Sequence, residues 1–98
     1  MSLRDFQTLM RDLYLNNDEK RGVVKTFLWL VEEVGEVAQC LNEQTLDLEH
    51  TGEELADVIA WACSVANILG IDLETEIWKK YPNLCPKCGK NPCECETA

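Results

Sequence analysis

Two short acidic runs carry most of the chemistry this chain could perform: Glu32-Glu33-Val34-Gly35-Glu36 and Glu54-Leu55-Ala56-Asp57. Glu33 and Glu36, and again Glu54 and Asp57, stand three residues apart inside otherwise apolar stretches. On a helix that spacing puts both carboxylates on one face. Two helices presenting such pairs to each other would surround a hard cation with oxygen. Without a cation the same carboxylates would repel one another and lose hydration at a large cost. An all-oxygen set suits Mg²⁺ or Mn²⁺ better than zinc or iron. Di-iron bundles pair Glu with His at this spacing on two of their helices. Here the second acid is Glu or Asp, and the only histidine, His50, falls in an expected loop. The bland alternative is a solvated acidic face. Asp57 resists it most, because its helix has little polar face to share.

A second constellation lies near the C-terminus. Cys85-Pro-Lys-Cys88-Gly89 has the spacing of half a zinc knuckle, and Cys93-Glu-Cys95 follows after four residues. Four thiolates this close would suit one tetrahedral Zn²⁺. Disulfides and an iron–sulfur species are the alternatives. Cys40 and Cys63 fall on helical stretches, where a free cysteine acts as a small core residue.

The elements that must position these groups are helical. Leu3, Phe6, Leu9, Met10 and Leu13 recur at three- and four-residue steps, which predicts a helix over 3–15 capped by Ser2. Asn16-Asn17-Asp18 reads as a turn and Gly22 as an entry point. A second helix is expected over 23–41, with Val23, Phe27, Leu30, Val31, Val34, Val37, Ala38 and Leu41 as its core stripe. Trp29, Glu33 and Glu36 share a neighbouring face, with Glu32 further round. Residues 42–51 read as a loop. A third, nearly all-apolar helix follows to Leu69, which marks it as central. Thr51 and Glu54 have capping-box spacing, a use of Glu54 that competes with metal binding. Gly70 ends that helix, Asp72 caps a short fourth one reaching Lys80, and Pro82 stops it. No stretch shows the two-residue alternation of a strand. The expected organisation is an all-α domain over 1–83 and a cysteine-rich tail over 84–98.

The chain has 98 residues, so one domain with a modest core is expected. Its net charge of −9 argues against a partner bound through nucleic-acid phosphates. It does not argue against a nucleotide substrate, since a divalent metal supplies positive charge locally. No apolar segment is long enough to span a membrane, and the first residues lack a signal-peptide core. A cytoplasmic location is the expectation, with the tail cysteines binding metal rather than pairing.

Read together, Glu32-Glu33-x-x-Glu36 and the later Glu54-x-x-Asp57 resemble the signature of the MazG-like nucleotide pyrophosphohydrolases. The runs Trp29-Leu-Val-Glu-Glu-Val-Gly-Glu36 and Glu53-Glu-Leu-Ala-Asp-Val-Ile-Ala-Trp61 are similar to the compact, single-domain members of this all-α group. The resemblance covers roughly residues 3–81. It implies a Mg²⁺-dependent hydrolase that splits a nucleoside triphosphate between the α and β phosphates. By position, Glu33, Glu36, Glu54 and Asp57 would be the metal ligands, with Glu32 in support. Glu33 or Glu36 would take the attacking water's proton. From their positions one turn from the acids, Trp29 and Trp61 read either as surfaces on which a base stacks or as helical core. Lys79 and Lys80 read either as phosphate-holding residues, as the resemblance implies, or as helix-end lysines balancing the dipole, with Arg21 and Lys25 as further basic residues for phosphates. The resemblance also implies a helical bundle completed by a partner subunit, in a homodimer or homotetramer. The cysteine tail lies outside the compact pattern. The rival reading is a non-catalytic, homo-oligomeric binding module that docks a partner through its zinc tail.

Overall fold

The computed structural model describes residues 1–96, so the last two residues of the expected tail, 97 and 98, lie outside the described residues. Four helices make up the ordered body: α1 (Leu3–Arg21), α2 (Val23–Leu41), α3 (Leu48–Leu69) and α4 (Leu73–Lys80). Among the described residues no strand occurs and no single helix is long and apolar enough to cross a membrane. The all-α reading is thus borne out. α3 is the central element and packs against both α1 and α2, with only light contact between α1 and α2.

Ser2 does cap α1. The Asp5 N–H donates to Ser2 Oγ at 3.0 Å, and the Ser2 N–H donates back to Asp5 Oδ2 at 3.2 Å, a reciprocal capping box. The helix does not stop at Asn16-Asn17-Asp18; it runs two turns further than expected, to Arg21. Asp18 is buried inside the bundle and paired to Arg21 at 2.8 Å. That tertiary pairing overrides the turn preference of the Asn-Asn-Asp run. Gly22 alone joins α1 to α2, with φ 88° and ψ 157°, a backbone conformation essentially confined to glycine.

α3 begins three residues earlier than Thr51, because Asp47 caps it by accepting the His50 N–H at 3.1 Å. Thr51 instead donates its hydroxyl to the Asp47 carbonyl at 2.7 Å. The Thr51–Glu54 capping box is therefore absent, and Glu54 is free for other work. His50 lies in the first turn of α3 rather than in a loop. Gly70 ends α3 in the left-handed conformation, φ 71°, as a C-terminal glycine does. α4 then turns off α3 at 102°. Gln7 fixes it there: its Nε2 donates to Asn67 Oδ1 at 3.0 Å and to the Ile71 carbonyl at 2.7 Å, and its Oε1 accepts the Leu73 N–H at 3.0 Å. Arg4 on α1 adds ion pairs to Asp72 and Glu74 at 3.0 and 2.9 Å.

The expected core stripe of α2 is the main correction. Phe27, Val31, Val34, Ala38 and Leu41 face outward, with Phe27 and Val31 each half exposed. The face turned to α3 carries Thr26, Trp29, Glu33, Val37 and Cys40 instead. The apolar stripe is real, but the interior of one chain does not use it. Among the described residues buried apolar side chains are few: Met10, Cys40, Cys63 and Ala66. The radius of gyration, 15.9 Å, exceeds the roughly 13 Å of a closed domain this long.

Candidate active site and metal centres

Because α2 turns its polar-bearing face to α3, the two acidic runs meet. One carboxylate oxygen from each of Glu33, Glu36 and Glu54 lies within 4.8 Å of the other two. Glu33 Oε2 and Glu54 Oε2 are buried and have no hydrogen-bond partner. A buried carboxylate oxygen without a donor is costly, and two of them facing a third acid are a ready-made seat for a cation. Burial, then the Glu36 charge beside it, pushes the Glu33 carboxyl up to about 7. Contact with the Glu36 carboxyl, then burial, raises Glu54. Both acids resist ionising together unless positive charge is supplied.

Asp57, the fourth expected ligand, stands apart from this trio. It lies one turn along α3, at the edge of an adjoining cavity, and its charge adds to the upward push on Glu33. Glu32 points to solvent, as the helical phase of α2 requires. Sequence reasoning set His50 aside. Its Nε2 lies 3.8 Å from Glu54 Oε1, and it lines a small outer pocket of about 180 Å³ with Glu36, Glu43 and Glu54.

The adjoining cavity measures about 510 Å³ and is built by α1 and α3. Phe6, Tyr14, Asp18, Arg21, Asp57 and Trp61 stand in its wall. The Trp61 ring meets Trp29 edge-on, with centroids 5.3 Å apart at 83°. The Arg21 guanidinium lies 4.3 Å from the Trp29 ring centre and 5.1 Å from that of Trp61, within cation–π range of both. Lys25 reaches Trp29 at 5.8 Å. Arg21, Lys25 and both tryptophans are thus gathered with one another, and Arg21 and Trp61 share the cavity wall with Asp57. Lys79 and Lys80 are not: Lys79 pairs with Glu76 at 3.5 Å and Lys80 lies over Tyr81 at 5.7 Å, both at the end of α4. Asp18 was missed because its neighbours read as a turn. The Asp18-x-x-Arg21 spacing, an ion pair on one helix face, was the signal available.

In the tail, the sulfurs of Cys85, Cys88, Cys93 and Cys95 all lie within 4.8 Å of one another. Cys85 Sγ and Cys95 Sγ are 3.7 Å apart, and Cys88 Sγ and Cys93 Sγ 3.9 Å. A tetrahedron with metal–sulfur bonds of ~2.3 Å has edges of ~3.8 Å, whereas a disulfide needs ~2.05 Å. All six cysteines are free. Gly89, at φ 71°, closes the turn that aims backbone N–H groups at sulfur. N–H groups of Glu94 and Lys90 draw the Cys88 thiol down to about 6. Crowding by Cys93, Cys88 and Cys85 pushes Cys95 up to about 11. One thiolate is ready and the last is held back, which is the state a bound cation would relieve.

No curated protein matches the chain. The family model of the MazG nucleotide pyrophosphohydrolase domain matches residues 22–89, a stretch that starts at the Gly22 joint and takes in both acidic runs, both tryptophans of the site and the first two tail cysteines. With most of its length matched and its acids brought together as described, the chain belongs to the MazG nucleotide pyrophosphohydrolase domain family.

Proposed function

We propose that this protein is a Mg²⁺-dependent nucleoside triphosphate pyrophosphohydrolase. It would cleave an NTP or dNTP between the α and β phosphates, giving monophosphate and pyrophosphate and clearing unwanted nucleotides from the pool. The observation that carries this reading is the pair of orphaned carboxylate oxygens, Glu33 Oε2 and Glu54 Oε2, gathered with Glu36 beside a cavity of substrate size.

The donor set fits a hard divalent cation: all oxygen, crowded, and short of positive charge. Glu33, Glu36 and Glu54 would hold it, with Asp57 completing the set from the cavity side. When bound, Mg²⁺ supplies Lewis-acid charge at the phosphate oxygens and favours ionisation of water. The protein's own groups do the rest. Glu33 or Glu36, whichever carboxylate oxygen is left free of the cation, would accept the attacking water's proton. Arg21 in the cavity wall and Lys25 over Trp29 bring positive charge that would offset the acids and the bound phosphates around them. Trp61 supplies a flat apolar wall on which a base can stack.

The exposed stripe of α2 supports a homo-oligomer. Val24, Phe27, Leu28, Val31 and Val34 form an apolar surface on the side of α2 away from α3, and a second copy of the chain, in a dimer or tetramer, would cover it. The sulfur spacing of the tail supports a structural Zn²⁺ in a reducing, cytoplasmic setting.

The test is a panel of ribo- and deoxyribonucleoside triphosphates with Mg²⁺, products resolved by chromatography. Monophosphate plus pyrophosphate, lost when Mg²⁺ is withheld, is the expected result. Diphosphate plus phosphate would overturn the cleavage site. No turnover by a folded, oligomeric protein would overturn the enzyme reading and favour a binding module.

A further inference from the structure

The cavity beside the acids holds a group that the proposed reaction leaves unused. Asp18 is 1% exposed. Its Oδ1 accepts from Arg21 Nη1 at 2.8 Å, while its Oδ2 is buried without a partner. Arg21 Nη1 also donates to Thr26 Oγ1 at 3.3 Å, and the guanidinium is held over two indoles. The carboxylate therefore cannot swing away to find a second donor without breaking that arrangement. An ionised carboxylate only accepts, so whatever satisfies Oδ2 must bring an N–H or O–H. The Asp18 charge is already balanced by Arg21, so a neutral donor is enough. Asp18 stands in the same cavity wall as Trp61, Phe6 and Tyr14, and Asp57 links that wall to the carboxylate cluster. A ligand anchored by phosphates at the cluster would place a flat ring in this cavity.

We propose that Asp18 selects the base, so that the cavity favours nucleotides whose base bears an exocyclic amino group over those of uracil or thymine. This rests on the pyrophosphohydrolase reading and names the substrate class of that site. An exocyclic amino group offers an N–H at the open edge of the ring, where uracil and thymine offer a carbonyl oxygen. Their one donor, the ring N–H, lies between two carbonyls, so a carboxylate approaching it meets acceptor lone pairs on both sides. Replacing amino by carbonyl leaves acceptor facing acceptor in a buried site, and such mismatches discriminate strongly. Oδ1 is committed to Arg21, so one hydrogen bond is at stake. A preference of about 10- to 100-fold in kcat/KM is expected from one such bond.

The experiment compares kcat/KM for dCTP, dATP and dGTP against dUTP and dTTP, in the wild type and in Asp18→Asn. The amide in the variant presents both a donor and an acceptor, so the preference should collapse toward unity with dUTP and dTTP turnover rising. A wild type that cleaves dUTP or dTTP as well as the amino-bearing substrates overturns the inference. So does a folded variant that keeps the wild-type ratio. If Asp18→Asn fails to fold, the wild-type ratio still decides, read with tryptophan fluorescence titrations of dCMP against dUMP. If no triphosphate is cleaved, the enzyme reading fails separately, and the same titrations test the cavity alone: tighter dCMP binding supports the inference, and equal or absent binding overturns it.

Discussion

Glu33→Gln should make the metal-free protein more stable, and only at the right pH. The Glu33 carboxyl is moved from 4.5 to about 7, first by burial and then by the Glu36 charge. Below 4.5 the acid is protonated in both folded and unfolded chains. As pH rises, the unfolded chain releases its proton first, so the folded state loses stability until pH passes about 7. Glutamine imitates the protonated acid and does not titrate, so the variant holds its stability across that window. The full shift between those two values corresponds to about 3 kcal/mol. Water reaches part of the cluster and screens it, so about 1.5 kcal/mol is the expected gain at pH 8. For a domain of this size that is a rise in Tm of roughly 6–12 °C. Thermal unfolding is followed by circular dichroism at pH 5 and pH 8, at fixed protein concentration. Mg²⁺ is omitted rather than chelated, so that metal held by the tail is untouched. Saturating Mg²⁺, at about 100 times its Kd, should stabilise the wild type by about 2.7 kcal/mol and the variant by less. A gain of equal size at both pH values, or a variant less stable than wild type at pH 8, would refute the reasoning.

Glu36→Gln should lower kcat by about 100-fold or more while leaving the helical content unchanged, measured by pyrophosphate release. Cys88→Ser should reduce bound zinc measured by elemental analysis, and X-ray absorption of the wild type should show four sulfurs at ~2.3 Å. Val31→Glu, on the exposed stripe of α2, should lower the oligomeric mass seen by sedimentation. Gln7→Ala removes three hydrogen bonds between α1 and the α3–α4 corner. It should cost about 1–2 kcal/mol in denaturant unfolding, because three hydrogen bonds to half-buried or exposed partners are lost.

The sequence made some parts of this molecule legible and hid others, for physical reasons that differ from residue to residue. Ser2, Gly70 and the separation of Glu33 and Glu36 from Glu32 were readable because caps and helical phase are local properties. The end of α1 was not, since Asp18 continues the helix only by pairing with Arg21 inside the bundle. The inward face of α2 was misread because its apolar stripe does not face α3: the chain buries Thr26 and half-buries Glu33 there and leaves Phe27 and Val31 exposed. Three of the four metal-ligand candidates converge, and Asp57 stands apart at the rim of the cavity. The cavity itself was invisible in sequence, being assembled from residues on α1 and α3 that stand far apart in the chain, Arg21 and Ala56 being the nearest pair.

The joint at Gly22 bears on how such a protein can change over generations. One glycine separates α1 from α2, so there is no slack between the helix that carries Asp18 and the helix that carries Glu33. A residue inserted there would change the angle at which α1 leaves α2, and with it the seat of Asp18 in the cavity wall. Residues 42–47, between α2 and α3, form an exposed connection of the kind that accepts added length at small entropic cost. Lineages descended from this fold are therefore free to lengthen the second connection. The wall of the cavity, by contrast, changes only through side chains on α1 and α3.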